Sequence, residues 1–176
     1  KNLIYMPSVN TTNLTNIDAF LAEWSLKVEN KYILDDKNAM GETAYIMLNI
    51  DDTEAVGTLP SQTLPIIAPA SREITILSKN NEKLVKPILS SYDNSFISDM
   101  MTKEVDDKNR GTHVVVAMST EEHAEQYDVY KSSVLVMGSA LMADSVFLTQ
   151  TNTYNNANAL LGLINNMTGK EAAAVI

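Results

Sequence analysis

The chain has 176 residues, 45% of them hydrophobic and 20% charged, a composition that supports a packed core and excludes a disordered polypeptide. Its net charge of -9 disfavours nucleic acid and anionic lipid surfaces as partners. With no cysteine it has no disulfide, no thiolate metal site and no cysteine nucleophile.

In chain order, "LIYM" (3–6) is a short apolar run closed by Pro7 and reads as a strand. A polar stretch follows, in which Thr15 or Asn16 is placed to cap a helix through Trp24. Ile17, Phe20, Leu21 and Trp24 fall at i, i+3, i+4 and i+7 on its apolar face. "LKVENKYILDD" returns to extended structure, and "TAYIMLNI" (43–50) is a strand. Residues 51–71 hold Pro60, Pro65 and Pro69 and read as loop with one helical turn. "REITIL" (72–77) alternates as a strand does. In "LVKPILSS" (84–91), Pro87 predicts an edge strand, because proline donates no ladder hydrogen bond.

Residues 92–111 are polar, with one predicted helical turn around Phe96 to Met101. "THVVVAMS" (112–119) is β-branched and continuously apolar, as strands buried on both faces are. Residues 120–132 read as a polar connection, and Ser133 to Met137 as a strand. The last helix runs from Asn155 to Met167, with Ala159, Leu160, Leu163 and Ile164 on one face and Gly169 as its stop. Apolar strands mixed with amphipathic helices predict a single α/β domain over residues 1–176, layered on a largely parallel sheet.

No apolar run approaches the roughly 18–20 residues that cross a bilayer. The sequence starts at Lys1, almost directly on a strand, and shows no signal-peptide pattern. The expectation is a fragment of a larger membrane-anchored protein, truncated at its first strand.

Several stretches together carry a family likeness. "KNLIYMPSVNTTNLTNIDAFLAEWSLKVENKYILDD", "LPIIAPASREITIL", "VKPILSSYDNSFISD" and "SVLVMGSALMADSVFLTQTNTYNNANALLGLINNMTGKE" occur in the order of the extracytoplasmic auxiliary domain of gliding-motility-type ABC transporters. The chain resembles that family over nearly its whole length. It departs from the family's Gly-Asp-Ser-like turn, since Gly138 is followed by Ser139 and Ala140, and Asp144 comes late. The resemblance implies a three-layer sandwich of the class I glutamine amidotransferase or flavodoxin type, on the extracytoplasmic face of a bacterial membrane. It also implies a non-catalytic role beside the membrane and ATPase subunits of the transporter, with a cell-surface polymer or exported substrate as a further partner.

A strand, a small-residue turn and a helix are also the usual frame of a nucleophile, so Gly138-Ser139 carries a rival expectation. Ser139 with His113 or His123 as base would make a serine hydrolase, although Leu141 stands where the Gly-x-Ser-x-Gly elbow has its second glycine. Anion binding at the turn lacks a glycine run and a nearby lysine. The pairs Asp51-Asp52, Asp106-Asp107 and Glu121-Glu122, and the group Asp93, Asn94 and Asp99, lack calcium-loop spacing and read as solvated loops. No cofactor and no metal is expected. The matches to a glycosylation acceptor at Asn10, Asn13 and Asn166 read as chance.

Six residues stand as candidate ligand or partner contacts: Gly138 and Ser139 in the turn, Asp144 after it, and Tyr154, Asn155 and Asn158 leading into the last helix. Clustered Asn, Thr and Tyr side chains there fit either helix capping or the polar lining of a solute or glycan site.

Overall fold

The computed structural model of the protein describes residues 1–12, 14–77, 83–108, 110–125 and 128–170. Asn13 lies outside the described residues.

Strands dominate. They are β1 (Asn2–Tyr5), β2 (Leu26–Leu34), β3 (Tyr45–Ile50), β4 (Ile67–Pro69), β5 (Arg72–Ile76), β6 (Leu84–Ser91), β7 (Phe96–Asp99), β8 (Val105–Asp106), β9 (Val114–Glu125) and β10 (Asp128–Met137). The helices are α1 (Thr15–Glu23), α2 (Thr53–Val56), α3 (Ser145–Thr149) and α4 (Asn156–Thr168), with a 3-10 turn at Ala140–Ala143. One sheet has six strands in the order β1-β10-β9-β6-β3-β4, and a second has four in the order β5-β2-β7-β8.

This overturns the expected parallel α/β sandwich and, with it, the amidotransferase or flavodoxin likeness of the fold. Among the described residues only β1 with β10 pairs in parallel; the other pairings are antiparallel. The reason lies in where the helices fall. A parallel pair needs a crossover of a dozen or more residues, usually a helix. Here α3 and α4 come after the last strand, α2 has four residues, and α1 joins β1 to β2, which belong to different sheets.

Three local expectations also change. The segment with Pro87 lies inside the six-stranded sheet, between β9 and β3, and not at an edge. The register shifts between Pro87 and Leu89, so a bulge absorbs the donor that proline lacks. The turn expected near Phe96 is strand β7, paired with β2. The polar connection expected at 120–132 is mostly ladder, with Glu122 opposite Lys131 and His123 opposite Tyr130.

Alternation along the central strands builds two cores. Leu135 and Met137 point to one face with Val116, where α2 and α4 cover the sheet through Val56, Ala159 and Leu163. Val134 and Val136 point to the other face with Ala117, against Leu21 of α1 and Val28 and Ile74 of the second sheet. The helix α4 fits its expected span, buries Ala159 and Leu163, and ends on Gly169 in the left-handed region at φ 65°. By contrast α1 begins after Leu14 with no side-chain cap bond, so neither Thr15 nor Asn16 acts as expected. No helix among the described residues is long and apolar enough to cross a membrane.

Candidate functional site

Gly138 directly follows β10 where three strands crowd together. Its N–H donates to the Val115 carbonyl at 2.8 Å, and its carbonyl accepts the Arg72 N–H at 2.9 Å. A Cβ at this position would overlap the Arg72 carbonyl oxygen and the Ser71 hydroxyl, so only glycine fits. The need for a small residue is met, but by strand β5 and not by a helix.

Ser139 is 1% exposed, and its Oγ accepts the Leu141 N–H at 3.1 Å, capping the 3-10 turn. Neither histidine hydrogen-bonds Ser139. The His113 Nδ1 lies 2.8 Å from Glu73 Oε1, tying β9 to β5, and its buried Nε2 has no partner. His123 Nε2 sits 3.5 Å from Glu121 Oε2 on the β9–β10 hairpin. The serine–histidine contact that acyl-transfer chemistry requires is not made among the described residues.

The remaining candidates hold loops. Exposed Asp144 accepts the Val146 N–H at 2.9 Å and caps α3. Tyr154 packs edge-on against Phe147, with ring centres 5.1 Å apart. Asn155 is fully buried and donates through Nδ2 to the Ser61 and Leu64 carbonyls, while its own N–H reaches Pro65. Its neighbour Asn156 accepts from Ile67 N–H and donates to the Ile67 and Met142 carbonyls, taking the place of a strand beside β4. Asn158 is buried on the same helix. The asparagines thus clamp residues 61–67 to α4.

Charged groups elsewhere are committed to structure. Burial pushes the Asp35 carboxyl up, but the amides of Asn38 and Lys37 and the Ser95 hydroxyl together pull it below its ordinary value. Two bonds from Arg110, with a third from Asn94, hold Asp36 low. Buried Arg72, depressed by desolvation, donates to the carbonyls of Thr11, Val28 and Glu29 and to Asn30 Oδ1, pinning the β2 bulge. No three acidic or histidine side chains among the described residues converge as a metal would require. The Asp93, Asn94 and Asp99 group is not one loop, since Asp99 belongs to β7.

Among the clefts formed by the described residues, two lie beside the six-stranded sheet. One, of about 590 Å³, lies where β6, β9 and β10 run past α2 and α4. Its three lysines are paired, Lys83 with Glu121 at 3.1 Å, Lys86 with Asp52 at 3.3 Å and Lys131 with Glu122 at 3.2 Å. The other, of about 820 Å³, lies between β3 and the proline-containing loop that Asn155 anchors, with Tyr92 on its rim. None of the six candidate residues lines either cleft. Sequence reasoning missed Asn49, Gln62 and Tyr92; the available signal was the length of the irregular 57–66 segment, since long loops in small domains are often functional.

Comparison with protein-family models, with curated proteins and with solved structures finds no match to this chain.

Proposed function

We propose that this is a non-catalytic binding and scaffolding domain at the extracytoplasmic face of a bacterial membrane, working with the membrane and ATPase subunits of an ABC-type transport system. One observation carries the non-catalytic part. At the strand–turn–helix frame where a nucleophile belongs, the Ser139 hydroxyl is buried as a cap, and the candidate bases face carboxylates elsewhere, His113 with Glu73 and His123 with Glu121. Support for the transporter assignment comes from the ordered sequence resemblance, which stands without the amidotransferase-like sandwich it implied.

Affinity purification of the tagged full-length protein from gently solubilised membranes of its own cells tests the assignment. The transporter's membrane and ATPase subunits should co-purify in near-stoichiometric amounts, as identified by mass spectrometry. Their absence from the eluate, with the tagged protein folded and abundant, would sink it.

A further inference from the structure

We infer that the cleft between β3 and the 57–66 loop is a binding site for a neutral, polyhydroxylated ligand of the oligosaccharide class. This goes beyond the scaffolding role and does not depend on the transporter assignment.

Size is the first observation. At about 820 Å³ the cleft falls within the roughly 300–1,000 Å³ of small-ligand sites. Charge is the second. Among the described residues no lysine, arginine or histidine lines it, and Glu54 is the only acidic residue that does. A phosphate or carboxylate ligand would therefore enter without a counter-charge, on a protein of net charge -9. This separates it from the smaller cleft, where opposite charges are already paired.

Chemistry of the walls is the third. Asn49 and Gln62 are exposed amides offering both donors and acceptors, and Thr58 adds a hydroxyl with the same dual capacity. Sugar hydroxyls also donate and accept, so each can be matched from both sides. Met47, Ile50, Leu59 and Leu64 supply apolar surface for the C–H face of a sugar ring, and Tyr92 adds an aromatic ring. A purely apolar ligand would instead strip water from the amides with nothing in return.

The sheet contributes a backbone group as well. Leu48 donates its N–H to Ile66 on the β4 side, whereas Asp51 donates to Ile88 on the β6 side. Alternation puts the Ile50 N–H and C=O on the β4 side, but the β3–β4 ladder ends at Met47 opposite Ile67. Ile50 lines the cleft and presents those groups to it. One exposed ladder position suits a small ligand better than a strand-forming peptide, which needs several. The opposite wall is held by the Asn155 and Asn156 bonds to residues 61–67, so the site is built before a ligand arrives.

Titration of the protein with cellotetraose and chitotetraose, followed by amide chemical shifts, tests the site. Tetragalacturonate and a blocked tetrapeptide serve as comparison probes. A neutral tetrasaccharide should bind saturably, with shifts concentrated at residues 47–50, 57–66 and 92. Asn49→Ala and Gln62→Ala, both at exposed positions and checked for an unchanged melting transition, should each weaken that binding about fivefold. Shifts that do not saturate, or that centre elsewhere, would overturn the proposal. So would tighter binding of tetragalacturonate, which would contradict the charge argument, or of the tetrapeptide, which would make the cleft a peptide site.

Discussion

The Gly138 turn and the cleft beside β3 are opposites. The turn has the residues that look functional, a glycine and a serine between strand and helix, yet every group in it is spent on packing or capping. The cleft is lined by residues that draw no notice in the sequence, and its amides face solvent. In this protein, small residues at an elbow record how closely strands approach, whereas capacity for a ligand lies where an irregular loop stands away from a sheet edge.

The sharpest way to break that contrast is to enlarge the tight places. Gly138→Ala would drive a methyl group into the Arg72 carbonyl, and Gly162→Ala would drive one into the Val56 carbonyl where α4 crosses α2. Each should cost about 3 kcal/mol in denaturant unfolding or prevent folding. A change under 1 kcal/mol would mean that the backbone gives way easily. Next comes Asn156→Ala, which strips the Ile67 N–H and C=O and the Met142 carbonyl of their partners in a buried site. A loss of about 2–3 kcal/mol is expected, and because this clamp shapes one wall of the cleft, amide exchange across residues 61–67 should quicken.

Asp35 gives a pH-dependent test. Its folded value lies below the ordinary 3.8, so its stabilisation is fully present above that value and fades as the pH falls through the lower, folded one. Asp35→Asn should cost about 2 kcal/mol at pH 7 and flatten the loss of stability below pH 4, read from unfolding at a series of pH values. An unaltered acid limb would show that other carboxylates carry it.

Two gentler substitutions sharpen the comparison. Ser139→Ala removes a cap and should cost about 1 kcal/mol while leaving ester hydrolysis at background for both proteins. Measurable hydrolysis by the parent that the variant loses would restore the hydrolase alternative. Asn49→Ala and Gln62→Ala should shift stability by no more than about 0.5 kcal/mol, as expected where side chains face water. Larger effects would show that the cleft walls are structural.

Local elements with a periodic signal were legible. The strands at Tyr45–Ile50 and Arg72–Ile76, the Gly169 stop and the centres of the α1 and α4 faces follow from apolar spacing and turn chemistry, but Ile17 and Ile164, expected on those faces, are exposed. Pairing direction was not, because a continuous run such as Val114 to Ala117 is equally suited to a parallel or an antiparallel neighbour when both faces are buried. The outer half of the β9–β10 hairpin gave no strand signal, since Glu122, His123, Tyr130 and Lys131 face water and need no apolar alternation. Pro87 misled because the register shifts at Ile88 beside it, and a bulge is where a strand tolerates a missing donor. The cleft was illegible for another reason. Asn49, Gln62 and Tyr92 lie far apart in sequence and meet only through the sheet and the asparagine clamp.

The parallel pairing of β1 with β10 carries a consequence for how the chain is made. Asn2 meets Ser133 across 131 positions of sequence. At a synthesis rate of about 5–20 residues per second, the first strand waits roughly 7 to 26 seconds before its partner exists. Throughout that interval Leu3, Ile4 and Tyr5 are an apolar strand without their partner β10. Of the described strands, the one made before the others is thus among the last to find its place, and a nascent chain is open to mispairing at Asn2–Tyr5 until β10 emerges.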